Sequence, residues 1–335
     1  MELEMEMETE IEITLALDLS PAEAGRLELH SFLNILNLAV AELHAVGALA
    51  PEVDGWRQLR TRLDSLRQAL DESHFSPTVA LLLLETGHQL ETAITDSIGR
   101  NQQLIKNAEF CALVLNLRSI IATLKARTHE FESRRPTPSI WVAYSTWALN
   151  DQLRSFFEAV TRNSKGRYRI AAPGEFRDAN TYLIDIDIRG KDQDRIQLPP
   201  PIHDVFRDLL ANARKYTPPG GTIKGVLEEK PDCLELTVED TGRGIPTDEI
   251  QKVFQFGYRA SNAQDVRTYG GGFGLTKAYM ITKRLGGRLW VRSAPGHGTR
   301  FRIWIPHPPT AAARRTPEPA AIPVAPPTPP PNTAA

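Results

Sequence analysis

The chain is short of several things, and each scarcity closes off a class of protein. Only two of its 335 residues are cysteine, Cys111 and Cys233, far apart and in apolar surroundings. They build neither a disulfide framework nor a cysteine metal cluster, and a reducing compartment suits them. Net charge is nearly absent too, since 39 Lys and Arg face 41 Asp and Glu for a balance of -2. With no bulk field to draw the chain to nucleic acid or anionic lipid, partners must be chosen by local sites. Long apolar runs are also missing. The longest of note, VALLLL at 79–84, falls far short of the ~20 residues that span a bilayer. The opening MELEMEMETE is acidic where a targeting peptide would be basic. The expectation is a cytoplasmic chain with no membrane insertion and no nucleic-acid partner.

What is present is patterned hydrophobicity, 41% of residues, over a length that suits two domains. Residues 1–19 form an acidic N-terminal segment. Within it Leu3, Met5, Met7, Ile11, Ile13, Leu15 and Leu17 alternate with mostly glutamates, which reads either as a strand of period two or as a frayed acidic terminus. Ser20-Pro21 is a helix start, and the period then changes. Leu29, Leu33, Leu36, Val40 and Leu43 recur at steps of four and three, as do Trp56, Leu59, Leu63, Leu66 and Leu70. Leu83, Gly87, Leu90, Ile94 and Ser97 form a third such row, and Phe110, Val114, Leu117, Ile121 and Leu124 a fourth. Residues 20–135 are therefore expected to be a four-helix bundle. ESRRPTPS at 132–139 ends it.

Beyond that boundary, from 140 to 306, the pattern is mixed. A helix near 146–162 precedes strands at RYRIAA and TYLIDIDI; PIHDVFRDLLANARKY reads as helix, TIKGVLEE and CLELTVE as strands about a turn at Pro231-Asp232. The helix GLTKAYMITKRL and the strands GRLWVRS and TRFRIWIP follow. The sum is helices on one face of a mixed sheet, giving an α+β chain overall. From 307 to 335 the sequence is rich in Pro and Ala and too poor in large apolar groups to offset the entropy of ordering, so a disordered tail is expected.

Four short stretches stand in order within this second half: DLLANARKY at 208–216, DTGRGIP at 240–246, VFQFGYRA at 253–260 and GGGFGL at 270–275. Singly each is weak, because Gly-x-Gly is more often a turn than a nucleotide site. Together and in this order they resemble the N, G1, F and G2 boxes of the GHKL ATPases, most closely those of sensor histidine kinases. The resemblance implies a Bergerat-type α/β sandwich that binds ATP and Mg2+. It implies that Asp240 accepts a hydrogen bond from the adenine amine while Gly242 and Gly244 let the base approach the main chain. Asn212 matches the residue that coordinates magnesium, with Asp208 one turn earlier on the same helix face as a catalytic candidate. Lys215 and Tyr216 match positions facing phosphate and ribose, Arg259 a position able to reach the terminal phosphate, and Thr299 a position near adenine. Gly270, Gly272, Gly274 and Leu275 open a helix whose first amides can meet phosphate oxygens.

In LHSFLNIL, His30 and Asn34 stand four apart on the first bundle helix. The spacing resembles the phosphoacceptor box of histidine kinases and implies His30 as the nucleophile, with His44 on the same stripe as a second candidate. Two departures stand against it: Ser31 follows the histidine where the family usually has an acid, and the chain offers four bundle helices where the family's dimerisation unit uses two. The expected activity is ATP-dependent autophosphorylation of His30 with transfer to a response-regulator aspartate, in a homodimer joined through the bundle. The alternative is a catalytically weak ATP-binding scaffold or partner switch, which Ser31 favours; an ATPase clamp of the DNA-repair or chaperone kind would want further domains after the ATPase.

Overall fold

The computed structural model describes residues 9–50, 55–71, 77–100, 102–134, 140–163, 168–192, 194–265 and 272–308. A two-residue strand, β1 (Ile11–Glu12), comes first, then four helices: α1 (Pro21–Leu49), α2 (Gly55–Asp71), α3 (Pro77–Arg100) and α4 (Ala108–Arg134). Ser20 starts α1 as a full capping box. Its hydroxyl accepts from the Glu23 amide, and the Glu23 carboxylate takes the Ser20 amide in return.

The helices close on one another within the chain, α1 against α2 and α4, and α3 against α4 and α2. Their shared core takes Leu36, Leu43, Leu63, Leu70, Leu83, Leu90, Leu117 and Ile121. In α1 the buried row runs through Leu29, Phe32, Leu36, Ala39, Leu43 and Val46, while Leu33 and Val40 are only partly buried. Leu29, Leu36 and Leu43 of the expected row lie in the seam, while Phe32 and Ala39 take the places expected for Leu33 and Val40. A small residue such as Ala39 fits where helices cross closely, and counting leucines alone overlooks it.

The second half contains β2 (Val142–Ser145), α5 (Thr146–Asn163), β3 (Arg169–Ala171), β4 (Thr181–Arg189), β5 (Arg195–Leu198), α6 (Pro200–Tyr216), β6 (Thr222–Glu229), β7 (Cys233–Asp240), α7 (Gly274–Arg284), β8 (Arg288–Ser293) and β9 (Thr299–Pro306). The main sheet runs β1-β8-β9-β7-β6-β4-β3, parallel among β3, β4 and β6 and antiparallel elsewhere. Helices α5, α6 and α7 pack on it. Gly225 keeps α6 close, since a Cβ there would stand 2.8 Å from Leu210 and 2.9 Å from Phe206. The ribbon β2–β5 was not foreseen, each strand being only four residues long.

The N-terminal segment departs most from expectation. Among the described residues its strand is confined to Ile11–Glu12, and residues 1–8 lie outside them. It pairs antiparallel with β8, Ile11 opposite Val291 and Glu12 opposite Trp290. Ile13, 1% exposed, enters the core of the second half. Alternation marks a strand but does not name its partner. No helix among the described residues is long and apolar enough to cross a membrane. Of the tail only His307 and Pro308 are described, so the expectation of disorder concerns residues outside the described ones.

Candidate functional site

The four stretches converge, because their backbones lean on one another. The Arg243 amide donates to the carbonyl of Tyr216 at the end of α6, 3.1 Å away. Asp240 ends β7 opposite Thr299 of β9, and Gly274, opening α7, lies so near Asn212 that a Cβ there would stand 3.3 Å from its amide nitrogen. The Thr276 hydroxyl donates to the Gln255 carbonyl at 3.1 Å, tying α7 to the 253–260 stretch. Residues more than 60 positions apart, such as Asn212 and Gly274, thus come together in one cluster.

Asp240 is buried at 7% exposure. Burial pushes its carboxyl up to about 6, against the opposing pull of hydrogen bonds from the amides of Gly242 and Thr299 and the hydroxyl of Thr217. The Gly242 amide meets Oδ1 at 2.8 Å. A carboxylate held this dry has acceptor capacity to spare and gains from a donor brought by a ligand.

The two glycines beside it are needed for a reason the sequence did not disclose. A Cβ on Gly242 would stand 2.6 Å from both Asp240 Oδ1 and the Tyr216 carbonyl oxygen. Gly244 has φ +68°, and its Cβ would stand 1.9 Å from the carbonyl oxygen of Ala294. Close packing of the protein's own backbone therefore requires a glycine at both positions.

Positive charge also gathers in this cluster. Lys215 is pulled down to about 8, first by burial and then by the nearby cations Arg259 and Arg214. Its ammonium lies 4.8 Å from the centre of the Tyr216 ring. Two cations held against each other in a partly dry site favour an anion between them. The α7 helix begins nearby with no side-chain cap at Phe273, so the amides after Gly272 (φ +79°), Gly274 and Leu275 form an end suited to phosphate. Gly270 lies outside the described residues.

Asp208, expected one turn before Asn212, is engaged by two cations: Lys277 Nζ at 3.1 Å and Arg207 at 3.2 Å. Lys277 is a contributor that sequence reasoning missed, a lysine only 8% exposed in its side chain. Its signal was a lysine next to Thr276 and Ala278 on the buried side of the helix. Arg243 was missed as well, although it sits inside DTGRGIP. Its guanidinium bonds the Asn262 carbonyl and the Asp265 carboxylate, the latter at 2.6 Å, and so ties the glycine loop to residues 261–265.

The candidate histidines stand elsewhere. His30 and Asn34 fall within α1, and their side chains lie outside the described residues. His30 is nine residues past Pro21, about 14 Å along the helix axis, and α1 packs against α7. His44 sits a further fourteen residues away from that end and is bonded to Arg60 of α2, 3.2 Å between Nε2 and a guanidinium nitrogen.

Residues 197–309 match a family described as histidine kinase-, DNA gyrase B-, and HSP90-like ATPase. The adaptive-response sensory kinase SasA of Synechococcus elongatus is 38% identical over 109 residues, 32% of this chain and 28% of that protein. The sensor histidine kinase WalK of Bacillus subtilis is 33% identical over 118 residues, 35% of this chain and 18% of that protein. The chain therefore spans under a third of the length of these relatives. Among solved structures, the catalytic domain of histidine kinase ThkA aligns with 50% of this chain and 95% of its own at 22% identity, with a TM-score of 0.36.

Proposed function

We propose, from the match of residues 197–309 to the histidine kinase-, DNA gyrase B-, and HSP90-like ATPases, that the whole chain is an ATP-dependent protein histidine kinase that phosphorylates His30. The observation that carries the proposal is the pairing, in one cluster, of a dry acceptor carboxylate at Asp240 with the facing cations Lys215 and Arg259. A purine bearing an exocyclic amine and a polyphosphate fits that donor set. In this reading Asp240 accepts from the adenine amine, Thr299 and Thr217 hold Asp240 in place, and Tyr216 lies toward the ribose. Lys215, Arg259 and the first amides of α7, at Gly272, Gly274 and Leu275, hold the phosphates, with Gly270 assigned by the motif alone.

Among the described residues no group of three or more His, Cys, Asp or Glu gathers as a metal site. Asn212 would hold Mg2+ together with phosphate oxygens, and the ion would spread the charge that develops on the transferred group. Lys277 and Arg207 keep the Asp208 carboxylate in place one turn before Asn212. The imidazole of His30 forms a bond to the terminal phosphorus as the bond from phosphorus to ADP oxygen breaks, and the imidazole proton leaves to solvent or to a base. The phosphoryl group then passes to the aspartate of a receiver domain, and a cytoplasmic location supplies both ATP and receiver. The same proposal keeps the domains at 1–19, 20–135, 140–306 and 307–335. Pairing of two chains belongs to it too, but through outer faces carrying exposed Leu81 and Leu115, because the bundle's inner seam is filled within one chain.

Ser31, standing where the family places an acid, favours the rival scaffold function, and one experiment separates the two. The full chain with γ-labelled ATP and Mg2+ should take up acid-labile, alkali-stable phosphate. His30→Gln and Asn212→Ala should abolish the label while leaving the circular dichroism spectrum unchanged. A folded parent that binds ATP yet takes up no such label is a scaffold, and label persisting in His30→Gln moves the acceptor to His44.

A further inference from the structure

The segment before α1 lies outside the matched residues 197–309, yet it is built into that unit by a set of contacts beyond one strand pairing. The Ile13 amide donates to the Leu289 carbonyl at 2.9 Å. Ile13 is buried in the core, with Ile11, Leu15 and Leu17 packed against it. The Tyr279 hydroxyl, on α7, stands 3.1 Å from the Ile13 carbonyl oxygen and 3.0 Å from that of Leu15. Gln251 grips the same stretch twice: its amide nitrogen donates to the Glu12 carbonyl at 2.8 Å, and its oxygen accepts from the Thr14 amide at 3.3 Å.

Charge completes the fit. On the sheet's outer face Arg288 and Arg302 flank the Trp290 ring at 4.8 and 4.0 Å. Arg288 Nε donates to Glu12 and Arg302 Nε to Glu10, each at 2.8 Å. The edge at β8 is therefore a receptor for an extended segment that alternates apolar residues inward with acids outward, and residues 10–17 are its occupant.

Only Asp18, Leu19 and Ser20 separate this segment from α1, a link that spans about 14 Å at most from Leu17 to Pro21. While the segment is seated, the start of α1 cannot leave the neighbourhood of α7. That helix begins at the phosphate-binding end of the site, and α1 packs on it. We propose that residues 10–17 are an intrachain clasp, an acidic segment seated on Tyr279, Gln251, Arg288 and Arg302, that holds the histidine-bearing helix beside its own chain's nucleotide site and so directs phosphoryl transfer within one chain. The second half of this statement rests on the kinase reading; the first does not. The clasp replaces free diffusion of the acceptor by a high effective concentration.

The test uses the full chain in two measurements. Hydrogen exchange read by mass spectrometry should show peptides covering residues 9–17 protected in the parent. The same peptides should exchange freely in Ile13→Asp and at least roughly ten-fold faster in the Glu10→Lys, Glu12→Lys double variant, which leaves the core intact. Equal rapid exchange in the parent and both variants overturns the clasp whatever the activity. Acid-labile labelling per chain should be independent of protein concentration in the parent. In both variants it should fall by at least roughly ten-fold at low micromolar protein and rise with concentration. A mixture of His30→Gln with Asn212→Ala chains should stay unlabelled in the parent background. Labelling of that mixture at the parent rate, or unchanged labelling in the clasp variants, overturns transfer within one chain. A protected segment in a chain that takes up no label leaves the clasp standing and removes the kinase reading.

Discussion

The bundle and the sheet unit use polar residues in opposite ways. Along the bundle, Arg62 meets Glu85 with both side chains about half exposed, 48% and 50%, and Arg60 meets His44 at the surface. Such pairs trade one solvated partner for another and contribute little. In the sheet unit Asp240, Thr299, Thr217, Thr276 and Lys277 are buried, where each unmet bond is costly. One region is held by apolar periodicity and tolerates its surface. The other buries polar groups that must find partners.

The contrast breaks hardest at glycine. Gly244→Ala forces a Cβ into the Ala294 carbonyl at a positive φ, and the expected loss is on the order of 3–5 kcal/mol in urea unfolding. In α3 a Cβ on Gly99 would meet nothing within 4 Å, so Gly99→Ala should leave stability unchanged or raise it by up to about 1 kcal/mol. Equal effects at the two sites would erase the distinction between the regions.

A smaller effect sharpens the comparison through pH. Asp240 holds its proton more tightly folded, near 6, than unfolded, near the usual carboxylate value of 3.8. Its contribution to stability is therefore greatest below about 4 and is lost as pH rises to about 6, by up to roughly 3 kcal/mol. Asp240→Asn should flatten that slope, as denaturant melts at pH 4.5, 5.5 and 7 would read. Nucleotide binding should show the reverse sign, because an amine donor needs the carboxylate. ATP affinity in calorimetry should fall below pH 6 with proton release on binding, and Asp240→Asn should lose that dependence. The smallest effect is expected at Arg62→Ala, below about 1 kcal/mol in thermal unfolding; a larger loss would mean that the bundle's surface charges bear more of its stability than their exposure implies.

Much of this was legible beforehand, unevenly. Helix limits in the bundle followed from repeats of three and four and from Ser20-Pro21, all local signals. The four spaced stretches were legible in the sequence, and the structure brings them together. Lys277 was hidden because nothing near it in sequence reveals that Asp208, 69 residues away, is its partner. Gly242 and Gly244 were noticed for their conformational freedom, but their backbone neighbours Tyr216 and Ala294 could be known only from the fold.

By itself the sequence determined the periods, the breaks and the order of the boxes, because these depend on what each residue does to its own few neighbours. Tertiary structure alone decided which edge receives the N-terminal strand and that Phe32 and Ala39, not Leu33 and Val40, complete the inward row of α1. It also decided that Tyr279 would close over Ile13 and Leu15. Those outcomes depend on which surfaces remain uncovered once every other element has packed, a competition no local pattern records.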